Sequence, residues 1–422
     1  MAGALAPGVA TPLAREPSLP HAGLVVAPAM AVANALNYAF SLVMLRLLDP
    51  AAFGALGALL ALILIGTVPG LALQAVVARH TALRAGDRAT VAALWRRTLV
   101  AVSWVSVGLG LAVTAAAPAL AAYLHLGSLA PALLLAANIL PLPLVSALQG
   151  MLQGVQRFGA LAAALLVNAG ARLAVGVGLV AAGHGVDGAL AASVAGSVLT
   201  VLVSLAMVRP VLAARPGRGG PGVAALGREV GTASLAFLGL LLLTNVDLLL
   251  ARHYLDAGAS GLYAAGAVVT KIAYWAPQFV ATIVFPRLAK AAGGRRHLLA
   301  GAAAVVAGLG VALVVAVAAA PGLAVALPFG DAYERVGPAL PLFAALGTAL
   351  ALVQLLLFSG IAAGDRDGHK LLGATVAVEV AVIALGPHHS VTGIVSAALA
   401  VVATLLVAGW ALERRRRPLE AS

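Results

Sequence analysis

Lys271, Tyr274, Trp275 and Gln278 follow an i, i+3, i+4, i+7 spacing, which sets a cation, two rings and an amide on one face of a helix. A cation so placed suits a phosphate, and rings beside it suit sugars or shield the site. Arg172 shares a helical face with Asn168 four residues earlier. Asn34 and Asn37, with Tyr38 and Ser41, form another polar stripe, and Arg46 lies beyond it with Asp49 three residues on. Asp247 and Glu379 are the acidic members of the set, either one suited to carrying a coupling proton or Na⁺. The ionisable members fall in long apolar segments, where a charge is costly and is a functional candidate by default.

Each group also has a plainer reading. Lys271 pairs with Asp247 or Glu379 in ordinary helix packing, and the two carboxylates are then counter-ions to Lys271 or Arg172. Asn and Gln bridge helices without touching a substrate, which applies equally to Thr67, Gln74, Asn138, Gln149 and Gln153. Arg46, within a turn of a segment end, snorkels outward and pairs with Asp49.

The elements that must position these residues follow from composition. The 422 residues are 62% hydrophobic and 9% charged, with a mean hydropathy of +1.06. A soluble domain carries about 25% charged residues, so a water-soluble globule is excluded. The absence of cysteine excludes thiol catalysis, zinc thiolates and iron–sulfur clusters. Twelve apolar spans are predicted, at 24–48, 53–78, 98–124, 129–152, 158–182, 186–208, 229–251, 260–285, 298–320, 339–362, 371–386 and 391–412. Each matches about 30 Å of hydrocarbon, the eleventh only marginally. Gly66, Pro69 and Gly70, with Pro277 and Pro286, bend or loosen helices. The expected fold class is an all-α integral membrane protein of about twelve transmembrane helices.

The net charge of +12 belongs to topology rather than to nucleic-acid binding, because the basic residues sit in short joints without an aromatic-interleaved face. Of 26 Lys and Arg, 21 fall on alternate joints, Arg252 and Arg335 on the other set, and Arg46, Arg172 and Lys271 within spans. The rich set marks the cytoplasm, so both termini are expected there, in a plasma membrane. The first 23 residues lack a basic region followed by a cleavable apolar core and read as a cytoplasmic tail. A Gly-, Pro- and Arg-rich joint at 209–228 divides the spans into an N-lobe at 24–208 and a C-lobe at 229–412, with a basic cytoplasmic tail at 413–422. At an offset of 207 residues Leu48-Asp49-Pro50-Ala51-Ala52-Phe53-Gly54 overlies Leu255-Asp256-Ala257-Gly258-Ala259-Ser260-Gly261. The shared L-D-x-x-A-x-G fits two six-helix lobes related as parallel repeats.

The stretch Asn245-Val246-Asp247-Leu248, through Leu255-Asp256 to Gly261-Leu262-Tyr263, then Pro277 and Phe285-Pro286-Arg287, resembles the seventh and eighth helices of polysaccharide flippases. Leu45-Arg46-Leu47-Leu48-Asp49-Pro50 with Phe53-Gly54 adds to this. So does Leu148-Gln149-Gly150 with Gln153-Gly154-Val155-Gln156-Arg157-Phe158, which looks like the family's fourth-to-fifth helix turn. These flippases belong to the multidrug/oligosaccharidyl-lipid/polysaccharide exporter superfamily. The resemblance implies two lobes around a cavity that opens alternately to each side and moves a polyprenyl-diphosphate-linked oligosaccharide outward. It also implies membrane lipids and other polysaccharide assembly proteins as partners, and no cofactor. The peptidoglycan lipid flippases, similar as well, usually carry fourteen spans.

Charge balance points the same way. Arg172 and Lys271 match Asp247 and Glu379, and Arg46 tips the core to a small positive excess that suits an anionic head group. An inside-negative potential favours outward movement of an anion by about 2.3 kcal/mol per charge per 100 mV. No phosphate loop, H-E-x-x-H helix or G-x-S-x-G elbow is present, so no enzyme is expected. His388 and His389, adjacent on an outer joint, read as solvated rather than metal-binding. The alternatives are a proton- or sodium-coupled multidrug or cation antiporter of the same superfamily and, third, a non-transporting membrane scaffold.

Overall fold

The computed structural model describes residues 19–215, 217, 222–275, 277, 295–326, 328–362 and 368–415. Among them all regular structure is helical. In chain order the helices are α1 (Leu19–Leu47), α2 (Pro50–Gly66), α3 (Val68–Ala82), α4 (Arg88–Tyr123), α5 (Ala130–Ile139), α6 (Leu142–Gly154), α7 (Phe158–Leu179) and α8 (Gly185–Leu212). There follow α9 (Val223–Leu243), α10 (Val246–Tyr254), α11 (Ala257–Trp275), α12 (Arg295–Ala319), α13 (Pro321–Ala326), α14 (Leu340–Ala362), α15 (Gly368–Leu385) and α16 (Val391–Arg415). With no water in hydrocarbon to satisfy backbone groups, apolar runs of this length can only be helices.

Nine segments among the described residues are long and apolar enough to cross a membrane. One of them, Phe158–Leu212, holds two expected spans joined by a wide turn at Val180–His184, where Gly183 has a φ of 91°. The eighth span is α11 as far as Trp275, and the eleventh is the short α15. With these the helices account for twelve. Several spans are broken within: the second at Thr67, beside Gly66 and Pro69, the fourth before Pro141, and the seventh at Thr244–Asn245. Pro286 lies outside the described residues.

The chain forms two compact units. The first consists of the described parts of Met1–Phe40, Gly66–Pro118 and Ala130–Ser234, and the second of Ser41–Ile65, Ala119–Leu129 and the described parts of Leu235–Ser422. In the first unit Val91, Leu94, Trp95, Leu148, Met151 and Val208 pack in one apolar cluster, and Trp95 satisfies its buried indole by donating to Thr81 Oγ1 at 3.0 Å. Helices α3 and α6 pass backbone to backbone: a Cβ on Gly154 would stand 2.5 Å from that of Thr81, so only glycine fits. The same pair is tied by Gln74 Nε2 donating to Gln153 Oε1 at 3.2 Å, so these two polar stripes serve each other. The end of α8 leaves carbonyls unsatisfied, and arginines from elsewhere fill them, Arg88 on Pro210 and Arg96 on Leu212 and Ala214, while Arg157 donates to Met207 O one turn earlier.

Asp87 caps α4, accepting the N–H groups of Ala89 and Thr90 and the Thr90 hydroxyl. The Thr90 hydroxyl, then its N–H, hold the Asp87 carboxyl below the ordinary carboxylate range. A depressed folded-state value means that this cap stabilises at neutral pH and is lost as pH falls through it.

In the second unit the repeated L-D-x-x-A-x-G has a structural meaning. Asp49 accepts the N–H of Ala52 and Asp256 that of Ala259, each at 2.9 Å, so both segments start a helix with the same aspartate cap. The matching glycines bring the two starts together. A Cβ on Gly54 would meet the Gly261 nitrogen at 2.8 Å, and one on Gly261 would overlap the Pro50 carbonyl.

Candidate functional site: a buried carboxylate pair and a buried arginine

The break before α10 sets up the first cluster. Asn245 donates from Nδ2 to Leu241 O and to Thr244 Oγ1, both at 2.9 Å, bridging the interrupted backbone. Asp247 therefore lies in the first turn of α10, where the helix dipole favours a negative charge. It is 5% exposed and accepts the Tyr263 hydroxyl at 2.7 Å. Tyr263, on α11, is held edge to face against Phe343 at 5.0 Å.

Glu379, midway along α15, is 0% exposed, and neither carboxylate oxygen has a hydrogen-bond partner. Its charge acts on Asp247 and on Tyr263, and the charge of Lys271 acts on Asp247. The second unit thus gathers two buried carboxylates, one ammonium and one phenol. Counted as ions, these four described residues carry one more negative than positive charge, which hydrocarbon tolerates poorly.

The second cluster belongs to the first unit. Arg172, near the middle of α7, donates from Nη1 to Asn37 Oδ1 at 3.4 Å and lies 4.1 Å over the Phe40 ring. Its Nε is buried with no hydrogen-bond partner. Asn168, on the same face, donates to Thr200 Oγ1 at 3.1 Å instead of joining Arg172.

The remaining expected residues are distributed as follows. Asn34 is exposed on α1. Arg46 is exposed and its Nε donates to Pro328 O at 3.3 Å, while the Asp49 carboxylate is engaged in the α2 cap. Tyr274 is buried and Trp275 is 38% exposed, their rings meeting edge to face at 5.0 Å. Gln278 lies outside the described residues. Arg172, Asn168, Asn34 and Asn37 thus fall in one unit, and Arg46, Lys271, Tyr274, Trp275, Asp247 and Glu379 in the other. Among the described residues no group of three His, Asp or Glu is arranged to hold a metal ion.

Two members of these clusters are new. Tyr263 stands within the stretch that resembles the flippases, yet nothing in an apolar run marks a tyrosine as the partner of a carboxylate sixteen residues away. Phe40 lies three residues after Asn37 and, being apolar, carries nothing in the sequence that sets it apart from the rest of its span.

A comparison with curated proteins gives no match. Among solved structures, the lipid II flippase MurJ in an inward closed conformation is similar with a TM-score of 0.76 at 10% identity, covering 93% of this chain and 87% of that one. A multidrug resistance MATE family transporter of the MOP superfamily, inward-facing, gives 0.72 at 14% identity, over 91% and 96%. A MOP superfamily transporter from Pyrococcus furiosus, whose binding pocket is described as having reverse polarity, gives 0.58 at 13%, over 94% of each chain. These likenesses establish the fold. Residues 43–338, more than half of the chain, match the family described as polysaccharide biosynthesis protein. The chain is therefore a multi-pass membrane protein with the fold of the multidrug/oligosaccharidyl-lipid/polysaccharide exporter superfamily, and it belongs to the polysaccharide biosynthesis protein family.

Proposed function

We propose that this protein is an alternating-access flippase that moves a polyprenyl-diphosphate-linked oligosaccharide, or a related lipid-linked polysaccharide precursor, from the cytoplasmic to the outer leaflet of the plasma membrane. In this reading the six spans before 209–228 and the six after it are the two lobes, and both termini are cytoplasmic. The observation that carries the substrate class is Arg172: a guanidinium at membrane depth, held by an amide and a ring and retaining a buried, unengaged Nε–H. Such a donor suits a diphosphate, with Asn37 completing the grip and Lys271, Tyr274, Trp275, Gln278, Asn168, Asn34 and Arg46 as further contacts. The pair Asp247–Glu379 takes up the coupling proton or Na⁺. The family match and the likeness to a lipid II flippase support the reading.

A second reading, a proton- or sodium-coupled antiporter of cationic compounds, draws on the same pair, since buried carboxylates also suit an organic cation, and on the likeness to a MATE transporter. Native mass spectrometry of protein extracted gently from its own membrane separates the two. The flippase reading expects a co-purified polyprenyl-diphosphate saccharide. Binding of cationic dyes in competition with protons, with no such lipid, would overturn it in favour of the antiporter.

A further inference from the structure

Helix α4 ends in a manner that leaves its carbonyls open. The Leu126 N–H returns to Ala121 O at 2.9 Å and the His125 N–H to Ala122 O at 3.2 Å, with His125 in the left-handed region at φ 49°. The carbonyls of Tyr123, Leu124 and His125 then point outward without intrahelical partners. Two consecutive residues of α10 fill all three. His253 Nδ1 lies 2.9 Å from Tyr123 O, and since a carbonyl only accepts, this nitrogen carries the proton. Arg252 donates from Nε to Leu124 O at 2.8 Å and from Nη2 to His125 O at 3.1 Å. Its remaining arm, Nη1, reaches Ser260 Oγ at 2.9 Å and Ala51 O at 3.5 Å. The Tyr123 and His253 rings stack in parallel at 4.1 Å.

Two features set this apart from ordinary cement. Arg252 is 6% exposed, yet every acceptor just described is neutral. A buried cation on neutral carbonyls is held without the strong mutual charge attraction that makes a buried ion pair hard to separate, and water can replace each bond on release. The bonds also join the two halves of the sequence within the second unit, from α10 to the end of α4 and the start of α2. Beside them Tyr333 donates to Leu48 O at 3.3 Å, Arg46 to Pro328 O, and Gly54 meets Gly261.

We propose that Arg252 and His253 form a releasable latch that holds the outer ends of α2 and α4 against α10 and α11, and that it must let go for the outer face to open. The latch rests on the alternating-access reading above, and its placement outside on the proposed orientation.

The chain has no cysteine, so one introduced thiol reports on one place. Ala264 faces Gly57 between α11 and α2, and Ala264→Cys is read by a membrane-impermeant maleimide added from outside to the full-length protein, without any lipid substrate. Labelling is expected to be slow with Arg252 present, about tenfold faster in Arg252→Ala, and intermediate in Arg252→Lys, which keeps the charge with fewer donors. A second thiol, Ala147→Cys, buried in the first unit, is expected to stay protected in all three. Exposure of both thiols would mean general unfolding and would overturn the latch. Gly261→Ala, which drives the turn away from Pro50, is expected to speed labelling with Arg252 intact. If Gly261→Ala speeds labelling and Arg252→Ala does not, the latch fails while alternating access stands. If neither changes it, the outer face does not open and both fail.

Discussion

Glu379→Gln is expected to abolish the dependence of transport on its coupling ion while leaving the fold as stable as the native protein or more so. The native carboxylate is 0% exposed with no hydrogen-bond partner, so its charge is a cost to the fold, and an amide of the same shape removes that cost. What disappears is the second titratable carboxyl of the cluster, the one that acts together with Asp247. One coupled charge moving through about 100 mV supplies roughly 2.3 kcal/mol, which corresponds to about a 50-fold gradient. Accumulation in proteoliposomes under an imposed ion gradient should therefore fall by about that factor, with thermal melting unchanged or raised. Full gradient dependence in Glu379→Gln would remove the pair from the mechanism.

Arg172→Ala is expected to weaken transport of an anionic lipid by at least about 30-fold, because truncating a buried, hydrogen-bonding charge costs about 2–5 kcal/mol where it grips a partner. Arg172→Lys should recover only part, since an ammonium cannot present two donors in the plane of a phosphate as a guanidinium does. The fold should tolerate both, as among the described residues Arg172 is tied by a long bond to Asn37 and by the Phe40 face. The two readings of the protein diverge here. A carrier of cations would be unharmed, or improved, by loss of this charge, and lipid export left intact in Arg172→Ala would exclude the guanidinium from the substrate path.

Much of the fold is legible in the sequence because the membrane restricts it. Apolar length gives the spans, and the repeated L-D-x-x-A-x-G marks two matching turns whose aspartates both prove to be helix caps. The stretch from Gly150 to Phe158 is legible only as a pattern. Its cause is packing: Gly154 admits α3, Gln153 binds Gln74, Gln156 turns the chain at φ 57°, and Arg157 donates to Met207 O of α8. Ionisable residues at depth are visible individually, whereas their convergence is not. Nothing in the order of residues brings the Glu379 charge to bear on Asp247 and Tyr263 or sets the Tyr263 hydroxyl on Asp247, because the packing of α10 against α11 and α15 does so. Arg252 reads in sequence as a lone charge on a sparse joint, and its role needs the open carbonyls of a helix more than a hundred residues earlier.

The measurement closest to the central claim is flipping of a fluorescent polyprenyl-diphosphate oligosaccharide by the purified protein in proteoliposomes, read by leaflet-specific quenching with and without an inside-negative potential. Movement out of the leaflet equivalent to the cytoplasmic one, accelerated by the potential and lost in Arg172→Ala, is the expected result. Export of cationic dyes against a proton gradient, with the lipid left in its original leaflet, would contradict the account.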